Sequence, residues 1–311
     1  MPQRRRTQHS NAMRCAALVL VAAAMLATVE PLALKRRGGL TKSKKKKKLK
    51  KAPPPVAPAP VARAPRAPLS WSLSPEEHMA AVQSAVASAA DGIQAALTKD
   101  DFFSRTNFLD AKSVQAMAEE ARRLDGTLVP SQSTRYEAGQ PIAYDKEGVR
   151  STQILGGNDY DKAPRLTEYV VSLTAALSSV AGQVRPLSPS RQTNKLAVCD
   201  AIGASYPKHI DNGGNGDPRL LTAILYLSGD VDGGRFRSYK ATEDVVTAEV
   251  APAPGTFVCF WSDRLVHDVS EVTRLDEARW ALTVWLCTDD DIVEQTPESV
   301  LAAHWPHLRD S

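Results

Sequence analysis

Residues 196–227 decide the fold of this chain, and they read LAVCDAIGASYPKHIDNGGNGDPRLLTAILYL. Apolar and polar positions alternate with a period of two, and turns rich in Gly, Asp, Asn and Pro separate the runs, a pattern typical of antiparallel strands. The pattern continues to residue 287 and predicts strands at 196–202, 206–210, 220–227, 235–239, 244–250, 256–261 and 278–287. Many short strands in succession favour a sandwich or jelly roll.

Helical patterns precede these strands. The segment 74–77, Ser-Pro-Glu-Glu, contains a capping box and predicts a helix that runs to about residue 97. A second helix is predicted between Asp110 and Gly126, and a third over about 163–181. The stretch between these two helices is typical of short strands and loops. Helices first and strands later predict an α+β domain whose helices lie on one side of the sheets.

Charge divides the chain into two parts. Residues 1–75 hold 17 of the 39 Lys and Arg and a single acid, Glu30, which gives +16, and the remainder has a net charge of −12. The apolar fraction of 43 % excludes a wholly disordered protein, and four cysteines in 311 residues do not form a disulfide scaffold. Cys199, Cys259 and Cys287 lie in strand-like runs, where we expect them to pack as small hydrophobic side chains.

The basic part begins with an uncharged run, 15–29, that follows several arginines. Its length suits the core of a signal peptide, although extension to residue 34 would permit membrane insertion of 15–34. Eight lysines within 42–51 and the Ala/Pro-rich segment 52–68 then predict a disordered tether. The pattern favours targeting to the secretory pathway or an organelle. A cytoplasmic or nuclear location, with the lysines as an import or nucleic-acid patch, is the alternative.

The sequence thus predicts four consecutive parts. A signal- or anchor-like segment with its disordered basic, Pro-rich tether (1–73) precedes a helical support region (74–190). A strand-rich core (191–290) and a C-terminal tail or short helix (291–311) follow. We expect the folded part to be a monomer.

Three residues of the strand-rich core form a pattern typical of metal binding. His209 and Asp211 are two apart in a strand, so their side chains face the same side. His267 follows the apolar strand 256–261. Two histidines and one carboxylate are the ligand set of non-haem Fe(II) oxygenases, which leaves coordination positions open. A structural polar pair at a strand end is the alternative interpretation of His209 and Asp211.

An arginine in the last strand is the second signal. Arg279, Thr283 and Trp285 share parity, so a guanidinium, a hydroxyl and an indole face one interior. A buried guanidinium requires an anion, and no acid of that strand points alongside it. The anion is predicted to be a ligand, the distal carboxylate of 2-oxoglutarate, with Tyr226 as a second donor. Arg274 is the rival for this role.

These residues resemble the Egl-nine prolyl hydroxylases, the oxygen-sensing prolyl 4-hydroxylases of hypoxia-inducible factor within the Fe(II)/2-oxoglutarate dioxygenases. The resemblance covers about residues 100–290 and is carried by YPKHIDN (206–212), LTAILYL (221–227), GGRFR (233–237), FWSDR (260–264) and RWALTVW (279–285). It implies a double-stranded β-helix (jelly roll) with supporting N-terminal helices. It also implies Fe(II) on His209, Asp211 and His267, and 2-oxoglutarate bound by Arg279, Tyr226, Thr283 and Trp285.

The resemblance further implies O2 as co-substrate, L-ascorbate as a cofactor, and hydroxylation of a peptidyl proline with release of succinate and CO2. The sequence departs from the family at Asp200, where the family has a tyrosine that reaches the co-substrate. That contact is therefore lost or supplied otherwise. The spacing from His267 to Arg279 is longer than in the family, and we expect a loop to absorb the difference.

Other functions stay open at this point. One alternative is a 2-oxoglutarate oxygenase that acts on another side chain or on nucleic acid. A second is a non-catalytic, metal-binding β-helix that serves as an interaction protein. We expect a proline-containing peptide or protein as substrate and no specific nucleic acid. The acidity of the folded part also predicts attraction of peptides with basic character.

Overall fold

The computed structural model describes residues 73–137, 140–212, 216–240 and 245–289. Residues 1–72 of the predicted leader (1–73) and the whole of the predicted tail (291–311) lie outside the described residues. The signal-like segment and its tether are therefore not described. Within the part that is described, no helix is long and apolar enough to cross a membrane.

The helices form where capping residues and periodicity predict them. Ser74 accepts a hydrogen bond from the backbone of Glu77, whose carboxylate accepts one from the backbone of Ser74, so the capping box is present. Asp110 caps the second helix through the backbone N–H of Ser113. The helices described are α1 (Pro75–Lys99), α2 (Ala111–Arg123), the single-turn α3 (Gly156–Asp159) and α4 (Pro164–Ala181), with a 3-10 turn at Asp125–Thr127.

Eleven strands are described, and they pair antiparallel in two sheets. The larger sheet has the order β1-β9-β6-β11-β4-β3-β2, and the smaller has the order β5-β10-β7-β8. The strands are β1 (Phe102–Arg105), β2 (Val129–Glu137), β3 (Gln140–Thr152), β4 (Gln192–Cys199), β5 (Tyr206–His209), β6 (Arg219–Gly233), β7 (Phe236–Tyr239), β8 (Val246–Val250), β9 (Phe257–Trp261), β10 (His267–Val269) and β11 (Val272–Cys287).

The two sheets enclose an interior, and the helices cover the outside of the larger sheet. Tyr226, Phe260 and Ala281 of the larger sheet pack against Phe236 of the smaller one. Residues of opposite parity, such as Leu282, form one apolar cluster with helices α1, α2 and α4. This architecture confirms the predicted α+β fold with a double-stranded β-helix and helices on one side.

Three parts of the sequence differ from their predicted structure. The region 74–190, predicted as helical support, also contributes β1, β2 and β3 to the larger sheet. Strand β1 has only four residues, too few for alternation to be recognised. The extra residues 272–277 form no loop, because they extend β11 along the end of β6. Strand β10, with three residues, was not predicted.

The N-terminus of α4 is capped by a residue of another helix. Ala163 occupies the N-cap and offers no side-chain acceptor. Both carboxylate oxygens of the buried Glu120 on α2 fill this role, since they accept hydrogen bonds from the backbone of Arg165 (3.0 Å) and Leu166 (2.9 Å). One carboxylate thus joins α2 to α4 behind the larger sheet.

We expect Glu120→Ala to lower the free energy of unfolding by about 2–4 kcal/mol, because two buried N–H groups lose their acceptor. Urea unfolding followed by circular dichroism measures the change. The matched control is Glu119→Ala, which removes a half-buried carboxylate from the same helix that caps no helix end. Equal losses in the two variants would contradict the capping role.

Candidate active site

Two histidines and an aspartate converge where β5 meets β10. His209 and His267 are register partners, and their ring centroids are 4.2 Å apart. Oδ1 of Asp211 lies 3.4 Å from Nε2 of His209 and 3.9 Å from Nε2 of His267. One ligand atom from each residue lies within 4.8 Å of the other two. The three side chains could therefore hold a single metal ion.

Hydrogen bonds orient both imidazoles toward this point. Nδ1 of His209 lies 2.8 Å from the carbonyl oxygen of Pro207, and Nδ1 of His267 lies 3.1 Å from that of Leu265. A carbonyl can only accept, so each Nδ1 carries a proton and each Nε2 faces the shared point of the three side chains. Burial lowers the pKa of His267 to about 4, which keeps its ring neutral at pH 7.

The carboxylate of Asp211 is held from its other side. Its Oδ2 accepts hydrogen bonds from Oγ1 of Thr222 (2.7 Å) and from Nε1 of Trp285 (2.9 Å). Burial by itself would raise the pKa of Asp211, but the neighbouring histidines and the indole N–H hold that pKa well below its usual range. A carboxylate and two imidazoles whose Nε2 atoms face one point suit a divalent cation.

A buried guanidinium lies beside this triad. Arg279 is 5 % exposed, and its Cζ lies 5.0 Å from the ring centroid of Tyr226. Nη1 of Arg279 donates to Sγ of Cys199 at 3.2 Å. Cys199 therefore has a polar contact and is not only the apolar filler that we predicted. Nε of Arg279 and the hydroxyl of Tyr226 are buried without a hydrogen-bond partner, so both remain as donors for a ligand.

The alternative residues for this pocket point elsewhere. Nε of Arg274 donates to Asp232 at 2.7 Å on the exposed extension of β11. Asp200, at the position of the family tyrosine, accepts from Nε of Arg150 at 2.9 Å. Tyr206 instead packs in the cluster that contains Cys199. The family tyrosine is thus absent at Asp200, and Tyr206 of β5 lines the pocket instead.

Sequence reasoning missed two residues of this pocket for different reasons. Thr222 shares parity with Tyr226 on β6, so alternation alone could have found it. Tyr206 and His209 are three residues apart, so regular alternation would place their side chains on opposite faces of β5. A register irregularity between β5 and β10 turns both side chains toward the interior. Thr283 lies on the inner face opposite Lys195, as its parity predicts.

Residues 195–287 match the model of the 2OG-Fe(II) oxygenase superfamily. The match covers just under a third of the chain, and it is the strand-rich part from β4 to β11 that carries the triad and Arg279. Together with the double-stranded β-helix, this match makes the core similar to those of the 2OG-Fe(II) oxygenase superfamily.

Curated relatives add a prolyl hydroxylase likeness. Prolyl 3-hydroxylase 1 of Mus musculus is 34 % identical over 124 residues, which cover 31 % of this chain and 16 % of that protein. The Homo sapiens protein of the same name is 43 % identical over 72 residues, which cover 23 % of this chain and 10 % of that protein. The chain thus spans about a sixth or less of the length of these relatives.

Solved structures of prolyl hydroxylases share the fold. A prolyl-4-hydroxylase of Pseudomonas putida has 26 % identity and a TM-score of 0.52, with 66 % of this chain and 100 % of that chain covered. A Trichoplax adhaerens prolyl hydroxylase in complex with a peptide fragment of the hypoxia inducible factor oxygen degradation domain has 22 % identity and a TM-score of 0.53. It covers 67 % of this chain and 92 % of its own. The match over residues 195–287 agrees with the predicted superfamily, whereas the Egl-nine type stays a prediction.

We expect Trp285→Phe to weaken the binding of Mn²⁺ or Fe²⁺ about 10–100-fold, because it removes a donor that fixes the Asp211 carboxylate. Titration of the metal-free protein measures the affinity. Trp280→Phe is the control, since Trp280 belongs to the helix-packed cluster on the outer face. Identical affinities in the two variants would contradict the role assigned to the indole of Trp285.

Proposed function

We propose that this protein is a Fe(II)- and 2-oxoglutarate-dependent dioxygenase that hydroxylates a prolyl residue in a peptide or protein. One observation carries the proposal. Arg279 and Tyr226 present buried, unpartnered donors beside the triad of His209, Asp211 and His267. Within the described residues no carboxylate pairs with Arg279, so a ligand that brings its own carboxylate would complete the site.

In this proposal Fe(II) is held by Nε2 of His209, Nε2 of His267 and Oδ1 of Asp211. These are the atoms that the hydrogen bonds of the site leave free. When bound, Fe(II) supplies the redox chemistry that couples decarboxylation of 2-oxoglutarate to oxidation of a C–H bond. L-ascorbate is proposed as the reductant that keeps the iron ferrous. Trp285 contributes by holding the carboxylate of Asp211.

The co-substrate is proposed to lie between the triad and the guanidinium. Arg279 binds the distal carboxylate of 2-oxoglutarate in a bidentate manner, and Tyr226 donates a further hydrogen bond. Thr283 lies on the same inner face. One atom of O2 enters the substrate as a hydroxyl group, the other enters succinate, and CO2 leaves. The chain's part is to orient the reactants and to limit the access of water.

A peptidyl proline is proposed because prolyl hydroxylases are among both the curated relatives and the similar solved structures. We favour 4-hydroxylation of the Egl-nine type by a monomer, from the motifs around Tyr206 and Arg279. Hydroxylation at the 3-position is the second candidate, since the curated relatives are prolyl 3-hydroxylases. The experiment must separate this proposal from hydroxylation of another side chain, from action on nucleic acid, and from a non-catalytic interaction role.

The test incubates the purified chain with Fe(II), 2-oxoglutarate, ascorbate and a set of proline-containing peptides. We expect one succinate for each hydroxyproline formed, and chromatography of hydrolysed peptides separates the 3- from the 4-isomer. His209→Ala should abolish both products. Succinate release without any hydroxyproline would point to another substrate. An intact triad that yields no succinate would contradict the proposal.

Arg279→Leu is expected to raise the KM for 2-oxoglutarate about 30-fold or more, because it removes one partner of a buried charge pair. Initial rates of succinate formation measure this value. Arg274→Leu, which removes the exposed rival, serves as the matched control and should leave the KM unchanged. A raised KM in Arg274→Leu together with an unchanged KM in Arg279→Leu would instead identify Arg274 as the residue that binds the distal carboxylate.

A further inference from the structure

Two lysines lie at the candidate site without a role in the proposed reaction. Lys195 on β4 is the register partner of Thr283 on β11, so its side chain faces the interior. Its Nζ lies 5.6 Å from the ring centroid of Trp285 and 5.8 Å from that of Tyr206. Nζ of Lys146, on β3, lies 4.1 Å from the same Tyr206 centroid. Two ammonium groups thus share one aromatic ring.

An irregular segment of β3 brings Lys146 to this position. Between the register pairs Pro130–Arg150 and Gln132–Asp145, one residue of β2 lies opposite four residues of β3, 146–149. Gly148 lies within this bulge at φ +67°, and a Cβ there would lie 2.7 Å from Cβ of Ala201. A bulge of this kind changes the direction of a side chain next to a site. The placement of Lys146 therefore depends on a specific backbone feature.

The two ammonium groups have no acidic partner of their own. Within the described ranges, neither forms an ion pair with a carboxylate, and the acid whose charge acts on both is Asp211 of the triad. Burial and the neighbouring Lys195 lower the pKa of Lys146 to about 7, and burial also lowers that of Lys195. Two positive charges held close together repel each other, and an anion that binds beside them offsets this repulsion.

The two lysines lie closer to solvent than the proposed anchor of the co-substrate. Lys146 and Lys195 are half-buried, whereas Arg279 is 5 % exposed. Arg279 and Tyr226 already match the distal carboxylate of 2-oxoglutarate. A macromolecular substrate enters from the solvent side, so the lysines meet the substrate rather than the innermost end of the co-substrate.

We propose that Lys146 and Lys195 bind an acidic side chain of the substrate that lies next to the hydroxylated residue. This inference rests on the proposed function and narrows its substrate class to prolyl peptides with Asp or Glu beside the proline. Tyr206 and Trp285 hold the ammonium groups from the side, which limits their movement before the substrate binds. The predicted attraction of basic peptides is a separate, long-range effect that salt weakens.

The test measures binding rather than turnover. The full chain is loaded with Mn²⁺ and 2-oxoglutarate under anaerobic conditions, and fluorescent peptides with blocked termini are titrated by anisotropy. Each peptide has one central proline, with Asp, Asn or Lys on its N- or C-terminal side. We expect the Asp peptide to bind about tenfold more tightly than the Asn peptide, the size of effect for a partly buried charge pair.

Variants of the two lysines test whether these residues cause the preference for the Asp peptide. Lys146→Gln and Lys195→Gln are each expected to remove most of the tenfold difference while the affinity for the Asn peptide stays unchanged. Lys112→Gln, at an exposed position of α2, is the control and should behave as the wild type. Lys146→Glu should bind the Lys peptide more tightly than the Asp peptide, and near-UV circular dichroism checks that each variant folds.

Three results would overturn the inference. The first is equal affinity of the wild type for Asp and Asn peptides at both flanking positions, a comparison that needs no variant. The second is a loss of 2-oxoglutarate affinity in the lysine variants without a change in peptide preference, which would assign them to the co-substrate. The third is an unchanged preference in both variants. Failure of the proposed function has a different signature, namely no hydroxyproline or succinate with any peptide.

Discussion

The register of β11 between β4 and β6 is the constraint on which the site depends. In this register Arg279 lies opposite Cys199 and Thr283 lies opposite Lys195. Because side chains alternate along a strand, a displacement by one residue would turn Arg279 outward and bring Trp280 inside. The apolar cluster between the larger sheet and the helices opposes that displacement. Hydrophobic packing on the outer face thus fixes the chemistry of the inner face.

The sequence predicts those features of the molecule that are set by residues close together in the chain. The capping box at Ser74 sets the start of α1, and the period of two sets the inner and outer faces of β11. His209 and His267 are far apart in sequence, yet His209 lies in a predicted strand and His267 follows the apolar strand β9. Their ligand chemistry and the parity of Arg279 were enough to predict that they meet, and the structure brings them together with Asp211.

The structural features that the sequence does not predict depend on contacts between residues far apart in the chain. Tyr206 reaches the pocket through a register irregularity, and Lys146 through a bulge that needs Gly148. Neither feature has a signature in a single sequence, because the mismatch becomes defined only when two strands pair. Glu120 shows the same limit for helices, since its partner is the end of a helix 44 residues away in the chain. Long-range pairing also explains why β1 was missed.

Arg279 has a thiol as its protein partner where a carboxylate would be usual. Folding therefore confines a cation that no carboxylate of the described residues neutralises, and a bound anion would offset this cost. An unfolded chain offers no such pocket, so a dicarboxylate bound as proposed would shift the folding equilibrium toward the native state as its concentration rises. In a cell, the supply of that metabolite would then govern how long the protein escapes degradation, in addition to how fast it works.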